Sequence, residues 1–218
     1  VERLWRDSRI NIIVEGANEV MHSFVFAYGS KQLGEFMLGV KANPFGNLGA
    51  ALKIAAQLYL GIKPGAPKIE GLHPKLDRHR ADVERRVQQF SHQVKLMFKT
   101  HEEKLITKQM IQRRLSLCAT WLHAMVCTLS KADRTIRSGV NGDRLRDELM
   151  IVDHLCAIAG DEIDRAIHEL RNNSDDTLSR AAEAAYRWMD QKPNADYSIP
   201  EKTSDAEALG SGRAPDTE

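Results

Sequence analysis

The stretch LSLCATWLHAMVCTLSKADRTI, residues 115–136, decides the fold class, because its apolar residues recur at alternating steps of three and four. A helix completes one turn in about 3.6 residues, so this spacing places a single apolar stripe along one helix face. The stripe consists of Leu115, Cys118, Leu122, Met125, Leu129, Ala132 and Ile136. The pattern predicts a helix over 108–138 with one buried face.

Similar stripes on either side of this helix predict further helices near 77–104, 143–172 and 175–189. Their members are Val83, Val87, Phe90, Val94 and Met97, then Leu145, Leu149, Val152, Cys156, Ala159, Ile163, Ala166 and Leu170, then Leu178, Ala182, Ala185 and Met189. Residues 139–143 and 172–175, rich in Gly, Asn and Asp, separate the helices. Long helices with narrow apolar stripes are typical of an all-α helix bundle.

The first 76 residues follow a different pattern. We expect a helix from Ala17 to about Val40, with Asn18 as its N-cap. A turn-rich break then precedes a short apolar helix over 47–60. Residues 61–76 contain three prolines and three glycines and are interpreted as a linker or mobile loop. At the other end, residues 191–218 are polar, and we expect a disordered tail there.

The composition excludes several classes of protein. A net charge of +1 argues against nucleic acid as a partner, since such proteins usually carry a basic excess. Cys118, Cys127 and Cys156 match no disulfide framework or zinc motif, which favours a reducing compartment and packed thiols. His101-Glu102-Glu103 lacks the second histidine of a helical zinc motif. The apolar run Leu117–Leu129 is too short to span a membrane.

Residues 6–20, RDSRINIIVEGANEV, carry the chemistry. They resemble the acyl-CoA dehydrogenase signature, an Arg-Asp pair followed by an apolar approach to Glu-Gly, with Ala17 where that family usually has Thr. Residues 41–47, 73–76 and 124–134 are similar to the very-long-chain branch, which has an extra C-terminal helical domain. The similarity covers roughly residues 1–190.

This resemblance implies a flavoenzyme that oxidises long-chain fatty acyl-CoA to trans-2-enoyl-CoA in β-oxidation. It assigns Glu15 as the base that removes the α-proton and FAD as the hydride acceptor. Gly16 would lie against the thioester, and Ala17, Asn18 and Glu19 would contact FAD. It further implies electron-transfer flavoprotein as the electron acceptor, and a homodimer.

The resemblance also implies a division of the chain into four parts. Residues 1–40 would end the dehydrogenase helical domain, 41–76 would form a linker with a short amphipathic helix, 77–190 the extra bundle, and 191–218 the tail. The family's N-terminal helical and β domains would be missing, so we expect the chain alone to be inactive. The compartment would be the bacterial cytoplasm, with possible inner-membrane contact, or the mitochondrial matrix and inner membrane.

Several alternatives stay open at this point. The helix over 47–60 could contact a membrane through Leu48, Ala51, Leu52, Ala55, Leu58 and Tyr59, with Lys53 and Gln57 opposite, or pack against the bundle. Arg6 and Asp7 are interpreted as a structural ion pair or cap, whereas Met21, Phe24 and Tyr28 could line an acyl channel or pack in the core. The alternative function is a non-enzymatic helical module that docks on a membrane or a partner protein.

Overall fold

The computed structural model describes residues 2–8, 10, 17–43, 45–46, 48–63 and 65–190. Helices account for most of these residues, and no β-strand occurs among them, which confirms the all-α prediction. The helices are α1 (Glu2–Ser8), α2 (Asn18–Ala42), α3 (Leu48–Tyr59), α4 (Asp77–His101), α5 (Gln109–Arg137), α6 (Gly142–Glu169) and α7 (Asp175–Asp190). Pro74–Leu76 and Glu102–Thr107 form 3-10 helices.

The chain divides into two compact units, residues 1–173 and residues 174–218. The first contains α1 to α6, and α7 belongs to the second. The four-part division expected from the resemblance stays a prediction, and the expected tail over 191–218 lies outside the described residues.

Helix α5 lies at the centre of the first unit and packs against α2, α4 and α6. Its apolar stripe is buried as the spacing predicts, with Cys118, Met125 and Ala132 fully inside. The facing stripe of α6 meets it, so that Val152, Cys156, Ala159 and Ile163 join the same cluster. Burial of these two stripes supplies much of the apolar contact that stabilises the bundle.

Helix α2 joins this bundle through a second apolar cluster. Phe26 and Leu33 of α2 pack on the group that contains Met97, Leu105 and Leu115. The rings of Phe26 and Phe98 stack with their centroids 6.1 Å apart. One turn earlier, the Ser116 hydroxyl of α5 donates a hydrogen bond to the carbonyl oxygen of His22. These contacts fix the position of α2 relative to the bundle.

A buried arginine links α4 to α6. Arg86 on α4 donates to the Asp164 carboxylate at 2.9 Å and to the Gly160 carbonyl oxygen at 3.1 Å, and it also pairs with Asp82 at 2.9 Å. Burial disfavours its charge, but the hydrogen bonds to Asp164 and Asp82 outweigh this effect and raise the pKa of Arg86. A Cβ atom at Gly160 would lie 2.6 Å from Arg86 Nη2, so the guanidinium occupies the space of the missing side chain.

Local sequence predicted some helix ends incorrectly. Helix α2 begins at Asn18, and its N-cap is Ala17, with no side-chain cap hydrogen bond, so the assignment of Asn18 as N-cap is wrong. Helix α4 ends at His101 and not near 104, because Glu102 takes a positive φ of 47° that breaks the helix. Within the interpreted linker, Ile69 and His73 donate backbone hydrogen bonds to Glu84 and Asp133, each at 2.7 Å, which attaches 69–73 to the bundle.

Candidate active site

The proposed base Glu15 and the neighbouring Gly16 lie outside the described residues. Immediately after them, Ala17 has the extended backbone of an N-cap, with φ −54° and ψ 146°. Asn18 and Glu19 open the first turn of α2, and Met21 N–H donates to the Ala17 carbonyl oxygen at 3.0 Å. Ala17 has no side-chain oxygen, so it makes no side-chain hydrogen bond to the N–H groups of the first turn.

The two charged residues at the start of the signature pair within α1. Arg6 bonds Glu2 one turn before it, and Asp7 lies 3.7 Å from Arg3, with all four side chains well exposed. Each residue therefore forms an ion pair within α1, but the predicted pairing of Arg6 with Asp7 is not found. Exposed pairs of this spacing contribute only about 0.3–0.5 kcal/mol each.

Met21, Phe24 and Tyr28 lie on the outer face of α2, where they are 46%, 50% and 74% exposed. The rings of Phe24 and Tyr28 stack at 5.8 Å. The prediction that these three side chains pack in the core is therefore wrong for this chain. The inner face of α2 is formed by Phe26 and Leu33 instead. The sequence did indicate that both faces of α2 have partners, because α2 carries apolar residues on both faces. A helix of that kind is usually covered on both.

The inner face of α2 borders a cleft of about 730 Å³ that sequence reasoning missed. Its other walls are α3, the end of α4 and the 3-10 helix that follows α4. The wall formed by α2 includes the small residues Ser23, Ala27, Ser30 and Gly34, which recur at steps of four, three and four. Such spacing places small side chains on one helix face, where they leave a groove. This pattern in the sequence could have predicted the cleft.

The predicted apolar face of α3 is divided between the cleft and the surface. Ala51, Ala55, Leu58 and Tyr59 line the cleft, whereas Leu48 and Leu52 do not and are 57% and 62% exposed. Tyr59 is also 72% exposed. Lys53 is exposed as expected, but the placement of Gln57 on the solvent side is wrong.

Gln57 is instead among the most buried polar residues of the described chain, at 5% exposure. Its side-chain oxygen accepts a hydrogen bond from Lys95 Nζ of α4 at 2.8 Å. A second contact between these helices places Lys99 Nζ 3.5 Å from the centre of the Tyr59 ring. These polar contacts, which helical spacing alone does not indicate, hold α3 against α4.

Comparison with known proteins identifies the family. The family described as ACAD9/ACADV, C-terminal domain, matches residues 74–192. The chain belongs to this family. Its matched region begins at the 3-10 helix before α4 and includes α5, α6 and α7.

The ACAD9/ACADV relatives extend the similarity toward the signature. The mitochondrial very long-chain specific acyl-CoA dehydrogenases of Mus musculus and Homo sapiens are each 31% identical to this chain over 179 residues. Each match covers 79% of this chain, more than residues 74–218 could supply, so it includes part of the first 73 residues. The chain spans about a quarter of the length of these relatives, 27% in each case.

A solved structure has a similar fold. The crystal structure of an acyl-CoA dehydrogenase complexed with FAD from Bacillus anthracis superposes with a TM-score of 0.52, at 22% sequence identity. The match covers 88% of this chain and 31% of that one. At this identity the likeness establishes the all-α fold alone. The family recognised from residues 6–20 and the motifs after them is confirmed by the family and sequence matches.

Across the described residues, no group of three or more potential ligands could hold a metal ion. Cys118 and Cys156 are buried as predicted, and burial raises the pKa of the Cys118 thiol to about 12, which leaves it protonated. Among the described helices, none combines the length and the apolar character needed to cross a membrane.

Proposed function

We propose that this chain carries the catalytic base of an FAD-dependent enzyme that converts long-chain fatty acyl-CoA to trans-2-enoyl-CoA. The single observation that supports the proposal is the signature over residues 6–20, with Glu15-Gly16 directly before α2, in a member of the ACAD9/ACADV family. Glu15 removes the weakly acidic α-proton, for which a carboxylate must lie within about 3 Å of it. FAD, when bound, accepts the β-hydride.

The residues around Glu15 have distinct proposed roles. The backbone N–H of Glu15 donates to the thioester oxygen, where negative charge develops as the α-proton leaves. Gly16 has no Cβ, so the thioester can approach the backbone closely. Ala17, Asn18 and Glu19 face the cofactor.

The start of α2 fits an anionic cofactor. Its first turn lacks a side-chain cap, and unpaired N–H groups at a helix N-terminus point outward and favour phosphate. The bundle holds this end in place, since His22 and Phe26 contact α5 and α4 within two turns. The alanine at position 17 has no hydroxyl to donate, so backbone atoms make the contacts there.

The exposed apolar face of α2 supports a substrate or another part of the enzyme on that side. Phe24 and Tyr28 stack on the exposed face of α2, about two to three helical turns after the helix begins at Asn18. An acyl chain laid along this face would remove their rings from water. The wider proposal includes electron-transfer flavoprotein as the acceptor, a homodimer, and a bacterial cytoplasmic or mitochondrial setting.

Flavin reduction tests the role of Glu15 directly. In the flavin-bound enzyme that carries this chain, Glu15→Gln keeps the shape of the side chain but removes the acceptor of the proton. A positioned general base contributes roughly 10²- to 10⁴-fold, so bleaching of the flavin by palmitoyl-CoA should slow by that factor.

Glu70→Gln is the matched control, since Glu70 is exposed and lies between α3 and α4, away from α2's first turn. Its rate of bleaching should equal that of the unchanged enzyme. Near-normal bleaching by Glu15→Gln, measured under anaerobic mixing, would falsify the assignment of the base.

A specific observation favours a second function, docking on a membrane. Leu48, Leu52 and Tyr59 expose an apolar edge of α3, with Lys53 beside it and Lys63 and Lys68 after it. Apolar side chains next to lysines suit the boundary of an anionic bilayer. We propose that α3 makes this contact, and that salt weakens it.

Sedimentation with phosphatidylglycerol vesicles tests the contact. Leu48→Glu combined with Leu52→Glu should abolish binding, because two charges replace the apolar edge. Leu58 is left unchanged because it faces the cleft. Met150→Glu with Ile151→Glu is the matched control, since these residues of α6 are 58% and 61% exposed. Equal binding by both double variants would exclude α3 as the contact.

A further inference from the structure

The cleft follows α2 for most of its length. Its lining positions on α2 run from Ser23 to Lys41, which corresponds to about 27 Å at 1.5 Å per residue. The cavity volume along this helix is about 730 Å³, so an extended hydrocarbon chain can lie in the cleft beside α2.

The walls of the cleft are mostly apolar along this length. Phe26 and Phe98 stack at one side, and Gly34 brings α2 close to Phe98, with 3.4 Å between its ideal Cβ and Cε1 of that ring. Opposite them, α3 contributes Ile54 and Leu58. The cleft volume falls within the range of small-molecule sites, about 300–1,000 Å³. Its mostly apolar lining is also typical of such sites.

On the α2 wall of the cleft, charged residues begin at Lys31. The cleft as a whole has three lysines and three glutamates in its lining: Lys31, Glu35, Lys41, Lys99, Glu102 and Glu103. Before Lys31 the α2 wall consists only of Ser23, Phe26, Ala27 and Ser30. The Lys41–Glu102 ion pair, 3.0 Å long, marks the charged end where α2 finishes. One end therefore suits a polar group and the other a hydrocarbon tail.

We infer that this cleft binds one long unbranched alkyl chain of an amphiphile, with its polar head near Lys41 and Glu102 and its tail toward Ser23. The positive and negative charges at the polar end balance, so they favour no particular headgroup. The cleft therefore recognises the ligand through its alkyl chain. A free long-chain fatty acid and a single-chain phospholipid share this chemistry. The site lies on the inner face of α2, whereas Met21, Phe24 and Tyr28 lie on the outer face. Its ligand needs neither flavin nor Glu15.

Calorimetric titration of the 218-residue chain with palmitate and with palmitoyl lysophosphatidylcholine, both below their micelle concentrations, tests this site. Saturable binding of one molecule per chain is expected, and the tighter ligand identifies the source of the alkyl chain. Octanoate should bind at least roughly tenfold more weakly than palmitate, since each buried methylene adds to the favourable transfer from water. Because the readout contains no flavin chemistry, it is independent of the proposed catalytic role.

Two substitutions from opposite walls fill the cleft. Ala27→Trp on α2 and Ala55→Trp on α3 should each weaken palmitate binding at least roughly tenfold, because an indole ring occupies the space of several methylenes. Ala157→Trp, at an exposed position of α6, is the matched control and should bind as the unchanged chain does. Circular dichroism confirms that each variant is folded.

Ala27→Asp offers a second variant that adds little volume. Ala27 is exposed to the open cleft, so the chain should still fold, but the new charge lies at the uncharged end and should oppose a hydrocarbon tail. Absence of saturable binding by either amphiphile would overturn the inference. So would equal affinity for octanoate and palmitate, or unchanged binding in all three cleft variants.

Discussion

Apolar residues are arranged differently in two regions of the molecule. One region is the bundle of α4, α5 and α6, and the other is the helix pair α2 and α3. In the bundle each helix presents one stripe, and the stripes of α5 and α6 meet in a single cluster. In α2 and α3 the apolar residues occupy both faces, so Phe24, Tyr28 and Leu52 stay exposed while Phe26 and Leu58 face inward. A contiguous exposed apolar patch often marks a binding surface, whereas single exposed apolar residues are normal. The comparison therefore separates the part that stabilises the fold from the part proposed to bind.

The largest expected effect is the loss of a central bundle side chain. Leu129 is 1% exposed within the α5 stripe. Leu129→Ala should lower the free energy of unfolding by about 2–5 kcal/mol, because it removes buried methyl groups and leaves a cavity. Leu52→Ala, the same substitution at a 62% exposed position of α3, should change it by less than about 0.5 kcal/mol. Urea unfolding measures both, and equal losses would contradict the difference between the two regions.

A smaller effect is expected where α4 and α6 approach closely. Gly160→Ala places a Cβ 2.6 Å from Arg86 Nη2, so the guanidinium must move and weaken its bonds to Asp164 and the Gly160 carbonyl. We expect a loss of about 1–3 kcal/mol in the free energy of unfolding, as for other overpacked sites. Gly29→Ala on α2 is the control, since nothing lies within 4 Å of its ideal Cβ. A neutral result at Gly160 would mean that Arg86 rearranges without cost.

The smallest effect concerns pH. Burial and the nearby cations Lys63, Arg171 and Lys95 lower the pKa of His92, and its Nδ1 has no hydrogen-bond partner among the described residues. A lowered pKa means that the unfolded chain binds more protons, so His92 lowers stability as pH falls from about 6.5 toward the folded-state pKa.

His92→Gln should therefore make the free energy of unfolding less dependent on pH between about 7 and 5. The pKa of His101 is also lowered, by burial and by Lys108, so part of the slope should persist. Unfolding curves at several pH values measure the slope for each chain. A slope equal to that of the unchanged protein would show that His92 titrates normally in the fold.

The accuracy of the sequence interpretation also differed between these two regions. Alternating steps of three and four identified the buried faces of α5 and α6, because one stripe per helix leaves a single way to bury it. In α2 and α3 the same reasoning misplaced Gln57 and the group of Met21, Phe24 and Tyr28. Where apolar residues surround a helix, periodicity cannot indicate which side faces a neighbour.

By itself, the sequence determined the all-α class, the helices of the bundle with their buried faces, and a family signature around Glu15. Each of these depends on residues within a few turns of one another, where helix geometry fixes their relation. Only the tertiary structure decided that Arg86 fills the space beside Gly160, that Lys95 reaches Gln57, and that small residues of α2 border a cleft. These features join residues that are distant in sequence. The distances between such residues depend on how whole helices pack against one another, which no local sequence pattern encodes.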